Sequence, residues 1–279
     1  GGPPGIGAGP GGTGDSGSTG SQCAPAAGAT ASTTVSDSGC AIIERDTSAC
    51  QADREAAGLS GPWLDLTCRV SLSVADGVIT AETDGLPDYK SNYYNDDDAC
   101  HTDYTGAIQN PNLISPLDQA VTFPLAPNEG GPVSMGGKAF VGIAANGVVI
   151  FANFAAPQDD IYQEKETFDA CAGHPENQGV YHYHAEPFSL TQDDGRFVGM
   201  MRDGYPVYGR RDADGSLPTL DTNGGHTGTT PHSTATPVYH YHVHEQTSTG
   251  EATLGQTAWF ITSGSFRGSL VDCPTCGDR

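Results

Sequence analysis

The chain has 279 residues and a formal net charge of −22, from 12 Lys and Arg against 34 Asp and Glu. No window gathers basic residues into a stripe able to neutralise a row of phosphates, which excludes nucleic-acid binding, and no run of about 18 apolar residues exists to form a membrane span. With 38 Gly, 19 Pro and only 16% charged residues, the composition is that of a turn-rich, weakly charged β protein rather than a helical cytosolic enzyme.

Residues 1–40 form a Gly/Ser/Thr/Ala/Pro segment with hardly an apolar side chain to bury, so alone it cannot offset its chain entropy. It is expected to be an extended tail, either a linker or a surface that self-associates by lying on a neighbouring subunit. The chain opens on Gly1-Gly2-Pro3-Pro4 without an initiator Met, as expected of a mature product whose export signal has been removed. Eight cysteines (Cys23, Cys40, Cys50, Cys68, Cys100, Cys171, Cys273 and Cys276) form an even set, which points to disulfides in an oxidising, extracellular or cell-surface location. Cys23 and Cys40 are placed to staple the tail down.

Residues 41–68 read as a Cys-containing connector with a short helix that Gly58 ends before Pro62 and Trp63. From Arg69 the period becomes two: Val70, Leu72 and Val74 alternate with polar neighbours, and Asp76-Gly77 gives a hairpin turn into Val78. Further strands are predicted at 120–125, 139–143, 148–151, 180–184, 198–201, 207–208, 238–244 and 258–262. Short strands between Gly, Pro, Asn and Asp make residues 69–279 an all-β domain, a sandwich or barrel-like body carrying an extended Gly-rich N-terminal tail.

The body contains two self-similar stretches, about 139–190 and 196–248. Gly142 matches Gly199, Asn146-Gly147 matches Asp203-Gly204, Asp169 matches Asp221, His174 matches His226, and His182/His184 match His240/His242. An invariant polar order with variable spacers is what loops around a fixed site allow, so two pseudo-repeats related by a twofold axis are expected. The string Tyr-His-Tyr-His stands at 181–184 and again at 239–242. With Asp84-Gly85-Leu86-Pro87, Asn110-Pro111-Asn112 and Gly264-Ser265-Phe266-Arg267-Gly268, it makes residues 69–270 resemble the YHYH-domain family of secreted proteins. The resemblance brings no settled activity with it. Two departures stand out: Glu186-Pro187 follows the first string where the family often has a cysteine, and Asn223 stands where the first stretch has Cys171. Cys171 therefore needs another partner, with Cys100 or the Cys273/Cys276 pair as candidates.

On a strand, residues i and i+2 share a face, so His182 and His184 lie on one side and Tyr181 and Tyr183 on the other. Two imidazoles a strand repeat apart form a bidentate clamp, and His174 or His226 completes a three-nitrogen set. Asp169 and Asp221, five residues before that third histidine, are candidates for a fourth ligand or for an acceptor that fixes an imidazole tautomer. The run His240-x-His242-x-His244 adds His244. Seven of the nine histidines fall in these sets. Imidazole without thiolate suits a transition metal, copper or zinc foremost; the bland alternative is a metal-free hydrogen-bonded layer. Asp96-Asp97-Asp98 and Asp212-x-Asp214-Gly215 have calcium-loop character, although the second lacks the distal Glu of a full loop. Cys273-Pro-Thr-Cys276 has redox spacing but reads better as a structural disulfide pair. Three functions fit: a secreted metal-binding protein, a structural subunit of an extracellular assembly, and a metal-dependent enzyme for which the sequence suggests no substrate.

Overall fold

The computed structural model describes residues 23–24, 28–136, 138–155 and 160–277. Most of the expected Gly-rich tail, residues 1–22, lies outside the described residues. In chain order the strands are β1 (Thr30–Val35) and β2 (Ala41–Glu44), then helix α1 (Ser48–Ala56), then β3 (Ser71–Ala75), β4 (Val78–Thr83), β5 (Gln119–Pro124), β6 (Val133–Ser134), β7 (Gly142–Ala144) and β8 (Val149–Ile150). After the single-turn helix α2 (Ile161–Glu164) come β9 (Gly173–Pro175), β10 (Tyr181–Tyr183), β11 (Phe197–Met201), β12 (Pro206–Tyr208), β13 (Gly225–Thr230), β14 (Ser233–His242), β15 (His244–Thr247), β16 (Thr257–Phe260) and β17 (Ser265–Phe266). The protein is all-β, as its turn-rich composition implies.

An eight-stranded sheet in the order β13-β14-β12-β11-β7-β8-β10-β9 forms the centre. Its two halves use one pairing scheme. β7 runs antiparallel to β8, β8 parallel to β10, and β10 antiparallel to β9. In the same way β11 runs antiparallel to β12, β12 parallel to β14, and β14 antiparallel to β13, while β7 and β11 join the halves. The sheet stays open, with β13 and β9 as its edges, so of the two expected architectures the barrel is not formed.

Each face of this sheet has its own core. On one face Tyr181, Tyr183, Tyr239 and Tyr241 pack with Val141, Val207 and the 86–100 segment. On the other, Ile143, Val149 and Met200 meet the three-stranded sheet β3-β4-β5 through Ile79, Ala81, Val121 and Phe123. The alternation that announces β3 to β5 in the sequence is the alternation of this half-buried layer, whose inward residues Ile79, Ala81, Val121 and Phe123 are fully buried.

The connector holds the expected short helix, preceded by a strand. The helix occupies only Ser48–Ala56, with Gly58 at φ +86° just beyond it, because Ala41–Glu44 pairs with β1 and buries Ile42 and Ile43. Buried Arg54 then ties the connector together, donating to the carbonyls of Leu64, Leu66, Thr67 and Val70. The disulfides are Cys23–Cys100, Cys40–Cys171, Cys50–Cys68 and Cys273–Cys276. Cys171 thus pairs with Cys40, neither with Cys100 nor with the C-terminal pair: the β1–β2 hairpin folds back onto the body and places Cys40 beside it. Among the described residues, no helix is long and apolar enough to cross a membrane.

Candidate metal centres

The third histidine of each stretch stands directly across the ladder from the first histidine of its Tyr-His-Tyr-His string. His174 on β9 faces His182 on β10, and His226 on β13 faces His240 on β14. With His184 and His242 one strand repeat further on, three imidazoles in each half lie on the same side of the sheet. Their Nε2 atoms converge. In the first centre the separations are 3.0 Å between His174 and His182 and 2.9 Å between His182 and His184. In the second, His226 Nε2 lies 3.1 Å from that of His240 and 3.2 Å from that of His242.

The opposite ring nitrogens explain why those atoms point inward. His182 and His184 donate Nδ1–H to the carbonyls of Val180 (2.9 Å) and Ala152 (2.6 Å). His240 and His242 donate to those of Val238 (2.9 Å) and Gly209 (2.7 Å). His174 Nδ1 meets Thr167 Oγ1 at 2.6 Å, and since that hydroxyl gives its own proton to Glu164 O, it accepts from the imidazole. A carbonyl or an already committed hydroxyl can only accept, so these five Nδ1 atoms carry the proton and a neutral ring presents a bare lone pair at Nε2. Burial lowers the pKa of His174 and His182 well below the ordinary histidine range, and takes His184 and His242 down to about 4. These four rings are therefore neutral at neutral pH, the form that binds metal.

A carboxylate accompanies each set. Asp212 Oδ1 lies 3.1, 3.7 and 3.4 Å from Nε2 of His226, His240 and His242, and Glu164 Oε1 lies 3.5 Å from Nε2 of His174. The edge of a tetrahedron of nitrogens bonded at 2.0–2.1 Å is about 3.3 Å, close to these separations. Among the described residues, the groups of three or more potential ligand atoms within mutual reach are His174/His182/His184 and Asp212/His226/His240/His242. Around the first, Phe151 stacks on His182 at 3.9 Å and Phe168 meets the edge of His174 at 4.9 Å.

Three residues singled out in the sequence fall outside these groups. Asp169 lies on the tyrosine face, where it accepts from Ser91 Oγ, Tyr181 Oη and the amides of Cys171 and Gly173. Asp221 does the same for Tyr239 Oη and the amides of Asn223 and Gly225. Each therefore folds the loop that delivers the third histidine and touches no imidazole. His244 is separated because the predicted 238–244 strand breaks at Val243, whose amide bonds to Tyr208 O, so His244 opens β15 in another sheet. Its Nδ1 is committed to His242 O and its Nε2 lies 3.0 Å from Gln246 Nε2.

The calcium reading gains no support. Asp98 accepts from the Cys100 amide, Asp214 accepts from Ser216, and Asp212 turns to nitrogen donors that a hard cation does not favour. Asp212 was visible only as part of an acidic turn, and Glu164 gave no signal: each lies on a connection whose path is set by tertiary packing.

An open eight-stranded sheet with a histidine set towards each edge defines a disulfide-stapled all-β protein with two candidate metal centres. Residues 120–218 match the family model described as YHYH protein, so this segment is a YHYH domain, as the Tyr-His-Tyr-His string within it implies. The matched segment holds the whole first centre and Asp212 of the second. No curated protein and no solved structure matches the chain.

Proposed function

We propose that the chain is an extracellular protein that holds one transition-metal ion, copper or zinc, in each of its two histidine centres, and serves as a structural or binding component of an extracellular assembly. One observation carries the metal reading: in the first centre all three imidazoles have Nδ1 tied to an acceptor while their Nε2 lone pairs face one another at 3.0 and 2.9 Å, and in the second His240 and His242 are tied in the same way with Nε2 of His226 at 3.1 and 3.2 Å from theirs. Lone pairs held that close repel, and a shared cation turns the repulsion into bonding. The Nδ1 hydrogen bonds that fix these five rings are those metal-binding histidines ordinarily make. All eight cysteines are paired, which supports an oxidising location.

Metal content of protein isolated without chelators, followed by titration of the stripped protein with zinc and copper, tests this. One ion per centre is expected; protein that arrives free of transition metal and takes up none contradicts it. The assembly part assigns the N-terminal tail, residues 1–40, to contact with a neighbouring copy, and equal light-scattering mass for the full chain and a chain lacking residues 1–22 counts against that assignment.

A further inference from the structure

The two centres share a strand plan but not a cover. At the first, the edge strand β9 is buried throughout: Asn110 and Asn112 donate to Pro175 O, and the 165–168 turn brings Thr167 and Phe168 onto His174. The His174 side chain is 3% exposed. At the second, β13 is paired on one side only, with β14, and its middle residues alternate between half-buried and exposed. His226 and Asp212 are 20% and 21% exposed. Asp212 stands at the head of a surface turn closed by its own N–H to Ser216 O and by Gly215 N–H to its carbonyl, with residues 213–217 exposed. Withdrawing this carboxylate moves a surface turn and uncovers a ring that is itself 20% exposed; at the first centre Glu164 is 26% exposed, but the His174 ring behind it is 3% exposed and flanked by Phe168, with Phe151 stacked on His182.

Resting on the metal reading above, we propose that the second centre is the exchangeable one: a divalent transition-metal ion enters and leaves through the Asp212 side, while an ion in the first centre is locked in by its aromatic cover. The donor chemistry agrees. Asp212 sets a carboxylate against the three imidazoles on the side where it and His226 are part-exposed, which favours capture of a hydrated dication and its later transfer to a competing chelator.

The experiment uses the full chain loaded with zinc and mixed rapidly with excess of a chromogenic chelator. Stoichiometry is read first, so a chain that binds no zinc removes the metal reading and this inference together. With both centres filled, release is expected in two phases of equal amplitude, separated at least about ten-fold in rate. Asp212→Asn is expected to speed the fast phase roughly ten-fold or more and leave the slow phase unchanged, a change on the scale of lost metal-site support. Thr167→Val, which frees the His174 ring, is expected to accelerate only the slow phase. A single phase for both ions, or a slow phase that responds to Asp212→Asn while the fast one does not, overturns the proposal and leaves the metal reading standing.

Discussion

At the scale of the residue, the centres depend on which nitrogen carries the proton. Thr167 shows this most simply, because its hydroxyl passes a hydrogen bond from the His174 ring to Glu164 O. Thr167→Val keeps the shape and removes the acceptor, so zinc affinity of the first centre is expected to fall roughly 10–100-fold with the second unchanged, as a calorimetric titration would read. Burial also sets a pH dependence. An imidazole such as His184, held down to about 4 when folded against about 6.5 unfolded, binds fewer protons in the native state between those values. Stability of the metal-free protein from this group therefore rises with pH across that window and is lost as pH falls through it, by up to about 3 kcal/mol. Urea unfolding of metal-free wild type and His184→Gln between pH 7 and 4 checks it: the wild type is expected to lose more stability on acidification, and parallel curves contradict the account.

At the scale of the element, what was legible in the sequence follows what makes each strand. β3, β4 and β5 bury side chains with period two, and β10 and β11 are short apolar or aromatic runs buried on both faces; the predicted bounds of these strands lie close to the true ones, whereas β14 begins at Ser233, five residues before the predicted 238. β9 is Gly-His-Pro and β13 is Gly-His-Thr-Gly-Thr-Thr; these edge strands owe their conformation to the backbone of β10 and β14, which no local pattern announces. The convergence of His174 with His182 was still readable, since the order Asp, Gly-His, His-x-His recurs. Glu164 and Asp212 were not, because their approach depends on how a single-turn helix and a surface turn pack. The Cys40–Cys171 bond belongs to this scale too: it ties the β1–β2 hairpin to the Asp169–His174 loop, where Ser38 also donates to Ala170 O. Replacing both cysteines by serine is expected to cost about 2–5 kcal/mol in chemical unfolding. A loss well below that range would mean the loop is held by its Asp169 bonds alone.

At the scale of the molecule, the open sheet keeps the two centres apart. Five strand steps separate β14 from β10, about 24 Å at ordinary strand spacing, beyond the screening length of roughly 8 Å in physiological salt. On the metal reading the centres are therefore expected to act independently, each ion at 100 times its dissociation constant adding about 2.7 kcal/mol to the stability of the folded chain. The net charge of −22 draws cations towards both. The most direct test is an anomalous-diffraction map of crystals of the zinc- or copper-loaded protein, recorded at the absorption edge of that metal. The account predicts two peaks per chain, one at the meeting point of Nε2 of His174, His182 and His184 and one at that of His226, His240 and His242 beside Asp212. A map with no peak at either point, or with its peaks on surface carboxylates, would contradict it.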